Sequence, residues 1–339
     1  MVSTFSMFCF LAAFNGVIPE NREKICYTSF DSVHKYKDVK DFHDWRMKYN
    51  KTYEGERNYN TYFDNWKSNR EFVRLHNIWS DKFKLELNHF GDVKWSSWVH
   101  RPSFNIHLAE KKFIEPKEEP LDLSLPASID WRTKGVVTEV KNQGQCGSCW
   151  AFSAVGSMEG QHALSTGNLV SLSESQIVDC DSNDSGCGGG FMPDAYEYVI
   201  QNKGIESEKK YPYKPEDDPC NFNKTDVVAT FKNYKDVTGG ENGLKKAVAM
   251  VGPISVGIDA SAASFGFYKD GVYYDPSCST TELDHGVLVV GYGTTVNGTD
   301  YWIVKNSWGN TWGKDGYIWM ARNRDNNCGI ATSPSYPIV

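Results

Sequence analysis

Gln143-Gly144-Gln145-Cys146-Gly147-Ser148-Cys149-Trp150 carries a glycine-rich turn into a run, Cys149 to about Ser165, that has helical composition and stops at Thr166-Gly167. This places a cysteine at the first position of a helix, with Ser148 as the expected N-cap. Unpaired backbone N–H groups and the helix dipole favour negative charge there, so the thiol of Cys149 is expected to ionise more readily than an ordinary cysteine. A histidine beside it would complete an activated nucleophile.

Only His162 and His285 lie beyond residue 124. His162 falls thirteen residues along the same helix, about 20 Å from Cys149 at 1.5 Å per residue, and reads as a surface helix residue. His285 is therefore the candidate base. It opens a predicted strand, Gly286 to Tyr292, and Asn306 closes another, Tyr301 to Asn306, so an antiparallel hairpin would bring the two together. A two-residue turn at Asn297-Gly298 would instead set His285 opposite residue 310, so the hairpin needs a longer loop or a bulge. An Asn oxygen accepting from the imidazole N–H would fix its tautomer and orientation, and Trp308 would shield that bond from water.

Further strands are predicted at Pro253 to Asp259 and Gly316 to Met320, short β-branched or aromatic runs between Gly, Asn and Asp. Helical stretches precede them. A helical lobe followed by a β lobe predicts an α+β architecture with a cleft between the lobes. Ahead of residue 125, two helices are expected between residues 39 and 80, with Phe42, Trp45 and Tyr49 on one apolar stripe and Trp66, Phe72 and Val73 on another. Lys111 to Pro126 alternates Lys, Glu and Pro and reads as an exposed, cleavable linker.

The 339 residues are 40% apolar and 14% aromatic, enough for real hydrophobic cores. A net charge of −7 gives no electrostatic footprint for nucleic acid. The charge is uneven: residues 1–124 carry 19 basic and 18 acidic side chains, and the remainder 17 and 25. Past the N-terminus nothing resembles a membrane span. The apolar run Met7 to Phe14, followed by polar residues, reads as a secretory signal covering about residues 1–17. Nine cysteines include Cys9 and Cys26, and the seven from Cys146 onward are an odd set, the arithmetic of three bridges and one thiol in an oxidising compartment. Sequons begin at Asn50, Asn183, Asn223 and Asn297.

The Cys-Gly-Ser-Cys-Trp signature, with His 136 and Asn 157 residues downstream of Cys149, resembles the papain-type cysteine peptidases, nearest the cathepsin L group. The resemblance covers residues 125–339 through Asp130-Trp131-Arg132, Gln143 to Ser153, Cys187 to Gly190, Leu283 to Gly286, Asn306 to Gly309 and Cys328 to Ile330. It implies a two-lobed papain-like fold, helical lobe plus antiparallel β lobe, with an N-terminal mainly helical propeptide over residues 18–124. It implies an endopeptidase made as a zymogen, without metal or cofactor, in which Gln143 and the backbone N–H of Cys149 form an oxyanion hole. It also implies bridges 146–187, 180–220 and 278–328. Gly189, Gly190, Phe191, Met192, Gly257, Leu283, Asp284, Ser333 and Trp308 fall at substrate-binding positions, and the apolar pocket among them predicts Leu, Phe or Val one residue before the scissile position.

In the propeptide, Asn69, Val73, Asn77, Asn88, Phe90 and Asp92 match the family's motifs, whereas Asn58, Tyr62 and Glu86 depart from them. The segment is expected to cover the cleft, inhibit the enzyme and be removed between about Lys117 and Pro126, with acid as the trigger. Protein and peptide substrates, the chain's own propeptide and cystatin-type inhibitors are the implied partners of a monomer in a lysosome, another acidic vesicle or the extracellular space.

Cys146 and Cys149 also read as a redox pair or half a zinc site, but the chain offers neither a βαβ unit around them nor a second close ligand pair. A catalytically silent binding protein would need a replaced nucleophile or base, and none is replaced. Capture of the acyl-enzyme by an amine, giving ligation, is chemically open. No insertion suited to blocking one end of the cleft is apparent, which favours endopeptidase over exopeptidase action.

Overall fold

A computed structural model describes residues 30–95 and 124–339, with side chains from residue 36 onward. The expected signal, Cys9, Cys26 and nearly all of the expected linker lie outside the described residues. The chain divides into two compact units at Asn69–Arg70.

In the first unit, α1 (Phe30–Lys48) and the start of α2 (Glu56–Trp79) gather aromatic rings. Phe42 is fully buried and contacts Trp45, Tyr53, Tyr59, Phe63 and Trp66 at centroid distances of 5.2–6.0 Å. Tyr62 stacks on Tyr53 at 4.4 Å, and the Arg46 guanidinium lies over Tyr53 and Tyr59 at 5.5 and 5.6 Å. At a position that departs from the family motifs, the Tyr62 ring therefore adds stacking area and leaves Arg46 facing π surfaces.

In the second unit the strands are β1 (Phe83–Leu85), β2 (Ile129–Asp130), β3 (Ile205–Glu206), β4 (Val227–Ala229), β5 (Asn233–Asp236), β6 (Ile254–Ile258), β7 (Tyr268–Tyr273), β8 (His285–Thr294), β9 (Asp300–Lys305), β10 (Tyr317–Ala321) and β11 (Ser335–Ile338). Nine form one sheet in the order β1-β7-β10-β9-β8-β6-β11-β5, with β2 paired to β8. Its pairs are antiparallel, as expected, except β7 with β10, which is parallel. The chain between those two strands runs out through β8 and β9 before returning, which permits a parallel register. The helices are α3 (Cys149–Thr166), α4 (Glu174–Cys180), α5 (Met192–Asn202), α6 (Gly240–Met250) and the single turn α7 (Ala263–Gly266).

Two cores result. Trp150, Val155, Met158, Ile177, Met192 and Tyr196 fill the helical lobe, and Val256, Phe265, Phe267, Val289, Trp302 and Trp312 fill the β lobe. The lobes meet along α3, where Ser153, Gly156, Ser157 and Gly160 form one small-residue stripe at helical spacing. Ser153 Oγ donates to Val287 O at 2.7 Å and Ser157 Oγ to Pro253 O at 3.0 Å. A Cβ on Gly156 or Gly160 would come within 2.8 Å of Leu288 or Pro253, so only glycine allows this approach of helix to sheet. Buried on almost every side, α3 also encloses His162, which is 9% exposed and not the surface residue expected.

Candidate active site

Cys149 begins α3 and is completely buried in this state. Ser148 holds the N-cap position without making a capping bond; its Oγ lies 2.7 Å from the Tyr213 hydroxyl. The β lobe reaches the thiol through Gly286, whose N–H donates to Cys149 Sγ at 3.4 Å. A side chain at 286 would place its Cβ 3.2 Å from Cys149 O and from Trp150 N and Cα, so glycine is what lets the strand bearing His285 close on the helix terminus.

His285 Nε2 lies 2.8 Å from Asn306 Oδ1, which also accepts from the Ser307 N–H at 2.8 Å. That second bond fixes which end of the amide faces the ring, so Nε2 carries the proton and Nδ1 keeps the lone pair. Trp308 stacks on the imidazole at 4.7 Å. Complete burial lowers the His285 pKa to about 4, opposed by the bond to Asn306, so the ring is neutral in this closed state near neutral pH. The hairpin meets at Leu288↔Lys305 and Thr294↔Asp300, with a shift between Val289 and Gly291. Both the longer loop and the bulge asked of the sequence are present.

Gln143 is held through both its main chain and its side chain. Its N–H donates to Ser307 O at 2.9 Å, its Nε2 to Cys146 O at 2.9 Å, and its Oε1 accepts from Ser307 Oγ at 2.6 Å. One Nε2 hydrogen remains to be directed elsewhere.

Cys146 bonds to Cys187, Cys180 to Cys220 and Cys278 to Cys328, and Cys149 is a free thiol. A Cys146–Cys149 redox pair is thereby ruled out. Among the described residues, no cluster of three or more His, Cys, Asp or Glu is arranged to hold a metal. Gly189 and Gly190 follow Cys187, and a Cβ at Gly190 would strike Trp150 and Asp184 at 2.6 Å. Phe191 and Leu283 pack on the helical-lobe core, which contains Met192, while Gly257 in β6 pairs with Gly286 and Ser333 is half-buried. Asp284, beside His285, accepts from the Ala260 N–H at 2.7 Å, and burial raises its pKa to about 7. Beneath the glycine loop, burial raises Asp184 to about 8 and Asp181 to about 6, and the carboxylates of Asp181, Asp194 and Glu197 reinforce the effect.

Residues 70–95 pack on the β lobe. Asn77 pins β1 through both main-chain bonds to Leu85 at 2.8 Å, and β1 pairs with β7. Asn88 Nδ2 donates to Gly266 O at 2.8 Å, while Phe90 and Trp95 stand 5.2 and 5.9 Å from the Trp308 ring. Glu86, a departure from the family pattern, pairs with Lys269 at 2.8 Å. Val73 is buried, but Phe72 is 38% exposed and touches Phe267 at 6.4 Å without joining the core. The sequon residues Asn50, Asn183, Asn223 and Asn297 are all exposed, with Asn223 Nδ2 donating to Asp226.

A buried ionic cluster escaped sequence reading. Lys141 Nζ reaches Glu159 at 3.2 Å and Glu174 at 2.7 Å, and Lys305 Nζ donates to Thr138, which in turn donates to Glu159 at 2.6 Å. Lys141 lies two residues before Gln143 and Lys305 one before Asn306, so the cluster braces both segments from below. Lysines ordinarily read as solvated, and the only signal was their closeness to site residues.

A buried thiol at a helix N-terminus, in contact with the residue after a histidine that an asparagine holds, is an arrangement suited to nucleophilic acyl transfer. Residues 125–338 match the model for the papain family of cysteine proteases, and residues 42–95 that for the cathepsin propeptide inhibitor domain. The chain belongs to the papain family and is a cysteine protease carrying its propeptide. It is 46% identical over 325 residues to a cathepsin L-like peptidase of Aedes aegypti, covering 91% of this chain and 96% of that one. It is 49% identical over 283 residues to procathepsin L of Rattus norvegicus, covering 81% and 84%. The structure of digestive procathepsin L 3 from the larval midgut of Tenebrio molitor superposes with a TM-score of 0.80 at 39% identity, covering 89% and 99%. Nothing in these likenesses supports the silent-binding alternative.

Proposed function

We propose that Cys149 is the nucleophile, His285 its base and acid, Asn306 the group that orients the histidine, and Gln143 a donor of the oxyanion hole. The observation that carries this reading is the contact of Gly286 N–H with Cys149 Sγ, which brings the residue after His285 onto the thiol while Asn306 holds the ring at 2.8 Å. The thiolate attacks the peptide carbonyl, and the oxyanion forms between Gln143 Nε2 and the Cys149 N–H. His285 protonates the leaving amine and then activates a water that hydrolyses the thioester.

The site is proposed to act as an endopeptidase preferring an apolar residue one before the scissile bond, accommodated by Phe191, Met192, Gly257, Leu283 and Ser333. Gly189, Gly190, Asp284 and Trp308 are proposed as further substrate contacts. Residues 1–17 as signal, 18–124 as propeptide and 125–339 as mature enzyme are the proposed divisions, and the product a monomer open to cystatin-type inhibitors. Entry to the secretory route, leading to an acidic vesicle or export, is supported by the three disulfides. Among the described residues no helix is long and apolar enough to cross a membrane.

The test compares the precursor with Cys149→Ala after acid treatment under reductant, on a fluorogenic peptide bearing Phe or Leu before Arg. Activity confined to the wild type is expected. Equal activity in the variant would overturn the assignment.

A further inference from the structure

The two donors assigned to the oxyanion hole sit on main-chain segments joined by a glycine-rich turn, with Gly144 at φ +62 and Gly147 beyond it. Such a turn has many conformations of its own, and a hole works only if its donors are fixed before charge develops. The Cys146–Cys187 bridge secures the middle of the turn. Gln143 is tied to Ser307 and to Cys146, and what remains is a link from Gln143 to Ser148, the residue before the second donor.

We propose that Tyr213 is a positioning residue for the oxyanion hole, its hydroxyl joining Gln143 to Ser148 so that both donors meet the developing oxyanion from set directions. The proposal rests on the catalytic assignment made above. The Tyr213 O–H donates to Gln143 O at 2.9 Å, and its oxygen lies 2.7 Å from Ser148 Oγ. A phenol has one proton, so with that proton on Gln143 the second bond runs from Ser148 to Tyr213. The result is a directed relay, Ser148 Oγ–H to Tyr213 Oη–H to the Gln143 carbonyl, spanning the turn.

The clamp is itself rigid. The ring stands T-shaped against Phe152 at 4.7 Å, and the Tyr213 N–H donates to the Glu208 carboxylate at 2.8 Å. Next along, the Lys214 N–H donates to Ser175 Oγ at 2.9 Å, and a Cβ at Gly144 would lie 3.0 Å from Pro215. The loop therefore rests on the turn as well as bonding to it. Burial raises the phenol pKa, so the proton stays on the oxygen throughout the working range.

Alkylation and tetrahedral capture separate positioning from general support. Iodoacetamide reacts with the thiolate without using the hole. A peptide aldehyde uses it: the thiol proton passes to His285 Nδ1, sulfur bonds to the carbonyl carbon, the π electrons move to oxygen, and that oxygen takes hydrogen bonds from the two donors and then the proton from His285 Nδ1. Enzyme matured from the full chain is compared with Tyr213→Phe, which keeps the ring, and with Ser148→Ala, which cuts only the far arm of the relay. In Tyr213→Phe, kcat and aldehyde affinity are expected to fall together by about fivefold to tenfold, the worth of one ordering hydrogen bond, with KM and the alkylation rate within about twofold of wild type. Ser148→Ala is expected to show the same pattern at smaller size. Unchanged aldehyde affinity in both variants would overturn the proposal, as would equal losses in aldehyde affinity and alkylation rate. Wild-type enzyme that stays active after stoichiometric alkylation of Cys149 would instead overturn the catalytic assignment beneath it.

Discussion

Trp95→Ala should loosen the grip of the propeptide on the β lobe. The Trp95 ring is 5% exposed, stands 5.8 Å from Phe90, 6.2 Å from Phe267 and 5.9 Å from Trp308, and donates through Nε1 to Ser261 O at 2.9 Å. It lies so close on Gly266 that a Cβ there would come within 2.3 Å of it. Burying about 200 Å² of such a ring at about 25 cal/mol per Å² contributes about 5 kcal/mol, and truncations of buried Trp cost about 3–5 kcal/mol. These contacts exist only while residues 70–95 are docked, so nearly all of the loss falls on the docked state. A loss of about 4 kcal/mol raises the undocked fraction about a thousandfold. The assay uses the precursor with Cys149→Ala, which cannot process itself, exposed to a trace of mature enzyme while propeptide cleavage is followed with time. Where undocking precedes cleavage, Trp95→Ala should speed cleavage by two to three orders of magnitude, up to the limit at which every molecule is open. The mature product keeps its sequence, so its melting temperature serves as a control. A cleavage rate within about threefold of the parent would refute the view that this aromatic stack holds the segment down.

Asn306→Ala removes the acceptor of the His285 proton and should lower kcat/KM by about tenfold to a hundredfold, with the profile against pH altered; an unchanged profile would deny the asparagine its orienting part. Asp184 and Asp181 have folded pKa values raised to about 8 and 6 by burial and carboxylate neighbours, so the folded state binds more protons than the unfolded one between about pH 4 and 8. Their contribution is fully present below the unfolded pKa and is lost as pH rises through the folded values, and Asp184→Asn should flatten the decline of melting temperature from pH 5 to 8. Gly286→Ala should push β8 off the α3 terminus, reducing Cys149 alkylation and activity far more than thermal stability, as paired alkylation and melting measurements would show.

The chemistry was legible because its residues are few and their types restrictive: a cysteine opening a helix, one histidine within reach and an asparagine ending a strand. Long-range competition was not. Ser148 reads locally as a cap, but Tyr213, 65 residues away, takes its hydroxyl. His162 reads as exposed because helices usually have a wet face, whereas α3 lies between two cores and leaves little periodicity to read. The hairpin register depended on a bulge between Val289 and Gly291 that no turn residue announces. Lys141, Glu159, Glu174 and Lys305 each look like surface charges alone and become a buried cluster only when four separate segments converge.

Strand β1 has a consequence for life after maturation. It belongs to the segment proposed for removal, and its loss would strip β7 of its outer neighbour, leaving the flank of the sheet with a row of unpaired N–H and C=O groups. Such a flank invites a second molecule to add its own strand, and two enzymes could join in that way. Lys269 and Asp270 put opposite charges midway along β7, on the stretch that an incoming strand would have to pair with. Once uncovered, the enzyme would thus carry its own guard against self-association on the border its propeptide had sealed.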